Sequence, residues 1–328
     1  CHISRTYSNM SLFNRLKFGD SFCVLPFIHK HVDLGGKQRL CCWSRETVTQ
    51  DRINQVRQLM LAGNPVRECV KCVACESSNR ISERQNQSKD WLTDPDIQNW
   101  IENCTEVSYD LRYSNLCNLR CQTCGPYASS AWAEFLQKND VYKSWEPDSI
   151  DINPDAKRIY LAGGEPFLIK SFSKALNNVT NTDCEIVVNT NATILTDHMI
   201  EALARFSNVC FVLSIDGIGP VIEQIRTGCN WKTIQDNIVK LRNKLDPNFM
   251  VNTVLQKDNI DDVPNIANWI DSQNISNWHV SVLTSPEQYH YSLYKGVPNW
   301  KNLWINQCVQ TNQQSQSALK TVYKSLYM

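Results

Sequence analysis

Three cysteines in SNLCNLRCQTCGP (114–126), Cys117, Cys121 and Cys124, are spaced C-x3-C-x2-C. Thiolates on one tight loop at this spacing can each bind a different iron of a cubane cluster, whose full set is four Cys. Three ligands leave one iron with open positions, the mark of a catalytic rather than a storage metal site. A zinc ion is the other reading of such a triplet, although zinc wants a fourth protein ligand nearby and usually paired C-x2-C knuckles. Further on, YLAGGEPFL (160–168) offers a second signal. Gly163 and Gly164 let backbone approach a ligand closely, Glu165 adds a carboxylate and Pro166 stiffens the exit.

These groups need a scaffold, and the flanking sequence supplies one. From about residue 106 strand-like and helix-like segments alternate. The strands are VSYDLRY (107–113), RIYLA (158–162), EIVVNT (185–190), VCFVLSI (209–215), FMVNTVL (249–255) and NWHVSVL (277–283). Helical patterns lie between them at 127–138, 169–178, 196–206, 231–244 and 262–273. Six strands alternating with helices read as repeated βαβ units with a parallel sheet, an α/β fold in the form of a partial (β/α)6 TIM-like barrel. In such barrels chemistry sits at the C-terminal ends of strands. The Cys loop follows the first strand and GGEP the second, so both fall where that rule puts them.

Together the two motifs resemble the radical S-adenosylmethionine (SAM) superfamily over about 106–285. The resemblance implies that Cys117, Cys121 and Cys124 hold a [4Fe-4S] cluster whose fourth iron chelates SAM. It implies that the strand end Gly163, Gly164, Glu165 and Pro166 contacts the methionine part of SAM. Reductive cleavage of SAM then yields a 5′-deoxyadenosyl radical that abstracts hydrogen from a substrate, chemistry carried by the cofactor and oriented by the protein. Other strand ends fit such a cleft: Asn189, Thr190 and Asn191 after the third strand, Ser214 and Asp216 after the fourth, Arg226 beyond them, and Asn252 on the fifth. Arg226 suits a carboxylate. The same polar residues also serve as ordinary caps of strands and helices, and both readings stand at this point.

The amino-terminal quarter holds six of the chain's 15 cysteines: Cys23, Cys41, Cys42, Cys69, Cys72 and Cys75. FCVLPFIHKHVDLGGKQRLCCWS (22–44) reads as two short strands around a glycine turn, with four residues between Gly36 and Cys41. INQVRQLMLAG (53–63) reads as a helix stopped by Gly63 and Pro65, and ECVKCVACESS (68–78) follows. This segment is similar to the twitch and SPASM modules of radical SAM enzymes, although those modules usually follow the barrel. The similarity implies an auxiliary [4Fe-4S] cluster held by Cys23, Cys41 or Cys42, Cys69 and Cys72. A structural zinc ribbon built from the same residues is the competing reading. His29 and His31 are assigned no ligand role, and at least one of them is expected at the surface. The expected organisation is an N-terminal segment 1–20, a small Cys-rich β-hairpin/helix domain 21–105, the radical SAM core barrel 106–290 and a C-terminal helical extension 291–328.

Bulk properties narrow the function classes. Lys plus Arg and Asp plus Glu each number 33, so the chain lacks the basic footprint of a nucleic-acid binder. Residues 45–89 carry eight Lys or Arg against five acids, a solvated surface or a binding face. No apolar run is long enough to span a membrane and the first residues lack a signal-peptide core. The chain starts with Cys1, so it is expected to be a fragment or to have its true start elsewhere, with Met10 a candidate. Clustered cysteines without an export signal fit metal ligation in a reducing cytoplasm. The remaining six, Cys1, Cys104, Cys184, Cys210, Cys229 and Cys308, are expected as small buried residues. The expected partners are an electron donor such as flavodoxin or ferredoxin and a peptide or protein substrate. A nucleoside, sugar or other small metabolite is the alternative substrate, and a non-catalytic iron–sulfur or zinc protein the third reading.

Overall fold

The structure, a computed structural model, describes residues 21–290 and 293. The segment 1–20, nearly all of the expected extension 291–328, Cys1 and Cys308 lie outside the described residues. Ten strands are present among them: β1 (His29–Val32), β2 (Gln38–Arg39), β3 (Ser108–Leu111), β4 (Arg120–Cys121), β5 (Arg158–Leu161), β6 (Glu185–Thr190), β7 (Asn208–Ser214), β8 (Arg226–Thr227), β9 (Asn248–Leu255) and β10 (Asn277–Val282). The chain folds into two compact units. One comprises the described residues up to Tyr113 with Asp151–Tyr160 and Val179–Cys184; the other comprises Ser114–Ile150, Leu161–Asn178 and the chain from Glu185 onward. No described helix is long and apolar enough to cross a membrane.

In the first unit the strand order is β5-β3-β1-β2. The expected glycine turn is present. Asp33 Oδ1 accepts from the amides of Gly35 and Lys37, both at 3.0 Å, and Gly36 takes a φ of 72° that favours glycine. The first strand of the hairpin is shorter than expected, because Leu25–Ile28 form a helical turn opened by Pro26. The hairpin is also not freestanding, since β1 runs parallel to β3 with His29 opposite Ser108 and His31 opposite Asp110. That pairing buries His31 and half-buries His29, so neither is exposed, contrary to the expectation that one is a surface residue. His31 is buried with Nδ1 3.0 Å from Asp110 Oδ2. His29 Nδ1 lies 2.9 Å from Ser108 Oγ, and burial pushes its pKa down to about 4. An apolar core that includes Phe22, Phe27, Ile28, Ile53, Val56, Met60, Trp91 and Trp100 supports the unit. The helix Gln50–Leu61 puts Ile53, Val56 and Met60 on that core at helical spacing.

In the second unit β10-β9-β7-β6 form a parallel set. Alternation in β6, with Ile186, Val188 and Thr190 buried, marks a strand with one covered face. The helix Trp231–Leu245 starts where Asn230 accepts from the Thr233 amide at 3.0 Å, and it buries Ile234, Ile238 and Leu241. Phe167 stacks on Phe211 and Phe211 on Phe249, with ring centroids 6.2 Å and 6.0 Å apart. The mixed α/β architecture with largely parallel strands agrees with the partial barrel expected from the sequence. Outside the parallel set, β4 and β8 make a two-stranded antiparallel ribbon that pairs Cys121 with Arg226.

Candidate metal and cofactor site

The cysteine loop is fixed by bonds that leave its sulfurs free. Asn115 Nδ2 donates to the carbonyls of Pro126 and Tyr142 at 3.0 and 3.1 Å. The Ser130 hydroxyl accepts from the Cys117 amide and donates to the Cys117 carbonyl, both at 3.0 Å. Ser129 Oγ donates to Leu119 O at 2.6 Å, and Trp132 Nε1 donates to Cys121 O at 2.9 Å. Cys121 is buried, and Cys117 and Cys124 are half-buried. Burial pushes the Cys117 thiol up to about 11. Cys121 and Cys124 share a hydrogen bond that holds Cys124 down to about 7 and Cys121 well up. One sulfur of this pair is therefore close to the deprotonated form a metal requires.

Arg226 reaches this loop along the β4–β8 ribbon. Its Nη1 lies 3.9 Å from Cys121 Sγ and its Nη2 2.7 Å from Asp216 Oδ2, with both side chains buried. Burial alone would lower the guanidinium pKa, but Asp216 and the two thiols reverse the shift and raise it. Asp216 in turn accepts the Val254 amide at 2.7 Å. Truncating Asp216 would leave the guanidinium buried with no carboxylate. Asp216→Ala is therefore expected to cost about 3 to 5 kcal/mol, read as a lowered midpoint in urea unfolding. A midpoint equal to wild type would show that the pair is not buried as described.

The glycine turn is stitched to the cysteine loop. The Gly164 amide donates to Ser114 O at 2.7 Å, and the Glu165 amide to Leu116 O at 2.8 Å. A Cβ on Gly164 would lie 2.2 Å from Leu116 O. Gly163 has φ 126°, in the region that favours glycine. Glu165 is fully buried, and its carboxylate is committed within the protein. Oε1 accepts from the Thr190 hydroxyl at 2.7 Å and the Phe167 amide at 3.3 Å, and Oε2 from the Asn191 amide at 2.8 Å. Burial raises its pKa to about 7 against those bonds. Glu165 thus fastens the end of β6 to the GGEP turn, and Pro166 opens a 3-10 turn beyond it.

The remaining expected residues fall around the same strand ends. Asn191 is buried, with Nδ2 3.2 Å from Asn118 Oδ1 and 4.0 Å from Cys117 Sγ. Ser214 is buried opposite Asn252 in the β7–β9 register, and Asn252 Oδ1 lies 2.9 Å from His279 Nδ1. Asn189 sits one residue before Thr190 on β6. Sequence reasoning missed Gln122 and Gln256. Gln256 Nε2 donates to Gln122 Oε1 at 2.7 Å and so ties the cysteine loop to the end of β9. Asn118, whose Nδ2 donates to Thr193 Oγ1 at 2.9 Å, was missed as well.

The donor set fits an iron–sulfur cluster with a further ligand. Asn115 Oδ1, Asn189 Oδ1, Arg226 Nε and Gln256 Oε1 are among the buried polar atoms of this unit with no hydrogen-bond partner among the described residues. Such atoms are costly unless something binds them. No three or more described His, Cys, Asp or Glu side chains converge on a single metal ion. Cubane ligands bind different irons and need no such convergence.

In the first unit, Cys23, Cys41, Cys69 and Cys72 feel one another. Burial and then Cys69, Cys41 and Cys72 push the Cys23 thiol well up, and burial followed by Cys72 and Cys41 pushes Cys69 up to about 12. Cys42 is exposed, and Cys75 donates to Ile81 O at 3.3 Å. The buried guanidinium of Arg84 lies close enough to Cys23 and Cys72 for their charges to act on it.

Among curated relatives, a tungsten-containing aldehyde ferredoxin oxidoreductase cofactor-modifying protein of Pyrococcus furiosus is 27% identical over 201 residues, covering 57% of this chain and 54% of the relative. The sporulation killing factor maturation protein SkfB of Bacillus subtilis is 24% identical over 176 residues, covering 51% of this chain and 40% of the relative. The chain thus spans about half the length of the curated relatives it matches. Among solved structures, Streptococcus suis SuiB bound to precursor peptide SuiA superposes with a TM-score of 0.43 at 13% identity, covering 79% of this chain and 60% of that one. The Radical SAM superfamily model matches residues 111–270, a span that holds the three-cysteine loop, the GGEP turn and the Asp216–Arg226 pair. Over that span the chain carries a match to the Radical SAM domain.

Proposed function

We propose that this chain reductively cleaves SAM and uses the resulting radical to take a hydrogen atom from a peptide or protein side chain. The observation that carries the reading is the stitching of the GGEP turn to the cysteine loop through Gly164 and Glu165. It holds two polar backbone segments together beside the three thiols. Cys117, Cys121 and Cys124 would hold a [4Fe-4S] cluster, which with SAM bound supplies the 5′-deoxyadenosyl radical. Gly163 and Gly164 keep side chains away from the ligand, and Glu165 locks the turn to β6. Arg226 and Asn189 offer their unpartnered atoms to the polar groups of SAM, and Ser214, Asp216, Asn191 and Asn252 shape the same strand ends. A flavodoxin or ferredoxin would deliver the electron.

Cys23, Cys41, Cys69 and Cys72 would hold an auxiliary [4Fe-4S] cluster, with Cys41 favoured over Cys42 because Cys42 is exposed. Anaerobically reconstituted protein should then carry about eight irons, falling to about four in Cys69→Ala/Cys72→Ala. Cys42→Ala and Cys75→Ala should each retain about eight. About four irons plus one zinc in the wild type would instead establish the ribbon.

The maturation role in one relative's name supports a peptide or protein substrate. The other relative's name, a cofactor-modifying protein, supports a small molecule as the second reading. Reconstituted enzyme incubated with cell extract and SAM should add or remove mass on a peptide or protein, read by mass spectrometry. A small metabolite as the one modified species would overturn the peptide assignment. A chain that makes no 5′-deoxyadenosine at all would be a non-catalytic iron–sulfur protein.

A further inference from the structure

Two of the three thiols in the cysteine loop meet an N–H donor that comes from far along the chain. Asn191 brings a neutral amide, with Nδ2 4.0 Å from Cys117 Sγ. Arg226 brings a charge, with Nη1 3.9 Å from Cys121 Sγ. Cys121 is the sulfur on which a charge counts most. It is buried whereas Cys117 and Cys124 are half-buried, so solvent screens it least.

Backbone imposes the placement of Arg226. β4 and β8 put Cys121 and Arg226 directly opposite each other, and beside them the Gln122 amide donates to Ile225 O at 2.8 Å. The Cys229 amide closes a turn on Arg226 O at 3.0 Å. The side chain is then held from its other edge. Nη2 lies 2.7 Å from Asp216 Oδ2, while Asp216 Oδ1 is fixed by the Val254 amide at 2.7 Å. The guanidinium therefore stands between carboxylate and sulfur, and the ion pair turns its positive end to Cys121. Burying an ion pair is a costly way to stabilise a fold. The pair itself uses the Asp216 edge alone, and the edge against the sulfur acts on the thiol.

We propose that Arg226 is a positioning residue that eases one-electron reduction of the cluster held by Cys117, Cys121 and Cys124, acting through the Cys121 sulfur. The inference rests on the reading of those three thiols as cluster ligands. Reduction, with the electron coming from the external donor, adds one negative charge to a group already made anionic by its thiolates. A fixed cation against one of those sulfurs, with an N–H aimed at it, favours the more negative, reduced state. Net charge and hydrogen bonds at the sulfurs are the protein's levers on cluster potential. Asn191 supplies a neutral N–H alone at Cys117, so its effect is the smaller. Arg226 thus sets how strong a reductant the protein needs.

The test is a potentiometric titration of the full reconstituted chain with dithionite, the reduced clusters being read by electron paramagnetic resonance. SAM is omitted, so that contacts of Arg226 with SAM do not enter. The signal missing from Cys117→Ala/Cys121→Ala/Cys124→Ala identifies the cluster of this loop. Arg226→Gln should keep the wild-type iron content, because no ligand is touched. Its midpoint should fall so that the reduced-to-oxidised ratio at a fixed potential drops at least about tenfold, which is about 59 mV for one electron. Arg226→Lys, which keeps the charge, should restore most of that ratio. Asp216→Asn/Arg226→Gln leaves no unpaired buried carboxylate, and it supplies the measurement where Arg226→Gln alone fails to fold. Its midpoint should also lie below wild type. A wild-type midpoint in either neutral variant at full iron content would overturn the proposal. An equal fall in Arg226→Lys would overturn it as well, by making the shape of the side chain rather than its charge the cause. Failure of the cluster reading would show differently, as no signal lost from the triple-cysteine variant.

Discussion

Protein in which Cys117, Cys121 and Cys124 are all replaced by Ala is expected to form no 5′-deoxyadenosine from SAM after anaerobic reconstitution with iron and sulfide, and to carry about four irons fewer than wild type. The argument is one of ligands rather than of folding. The loop is held by Asn115, Ser129, Ser130 and Trp132 through bonds to backbone atoms, and none of these uses a sulfur. Only Cys121 is buried, so truncation removes little packing. The triple variant should therefore remain folded by circular dichroism while losing its chemistry, which separates a lost cluster from a lost fold. Undiminished 5′-deoxyadenosine from that variant would remove the basis for the proposed reaction.

Gly164→Ala is expected to be nearly as damaging, by a different route. The added Cβ would meet backbone, 2.2 Å from Leu116 O and 2.5 Å from Leu116 C, and backbone has no rotamer with which to yield. Relief requires the GGEP turn and the cysteine loop to part, breaking the Gly164–Ser114 and Glu165–Leu116 bonds. Overpacking of this kind costs about 3 kcal/mol, to which two lost hydrogen bonds add about 2 more. A loss of this size should lower Tm by roughly 10 °C or more. Iron retention and SAM binding should fall together, since the two segments move as one. A variant with wild-type Tm and full SAM affinity would show that the turn does not lie against the loop.

Much of this was legible in sequence because it rests on local signals. The strands β5, β6, β7, β9 and β10 fall within a residue of the expected spans, since each is an apolar or alternating run. Cys117, Cys121, Cys124 and GGEP announce themselves by spacing. What was not legible depends on partners far along the chain. The Gln122–Gln256 bond joins residues 134 apart, and nothing near either glutamine signals it. The sequence suggested that Glu165 faces a ligand, whereas Thr190 and Asn191 claim its carboxylate. His29 and His31 were misplaced because their cover comes from β3, some eighty residues later. The helix Glu83–Trp91 did carry a local sign, the capping box of Ser82 and Gln85, but it lacks the apolar stripe that marked the other helices.

The pairing of Cys121 with Arg226 also sets an order of events during synthesis. The two residues are 105 apart, so the β4–β8 ribbon cannot close while the nascent chain ends short of Arg226. A ribosome-bound chain that has just exposed Cys124 already presents three thiols but lacks the guanidinium beside Cys121 and its partner Asp216. It also lacks the GGEP turn, which emerges some forty residues later. Non-local closure of this kind is slow relative to helix and turn formation. Iron supplied early would meet a loop without its walls, so productive metallation belongs after Arg226 has left the exit tunnel.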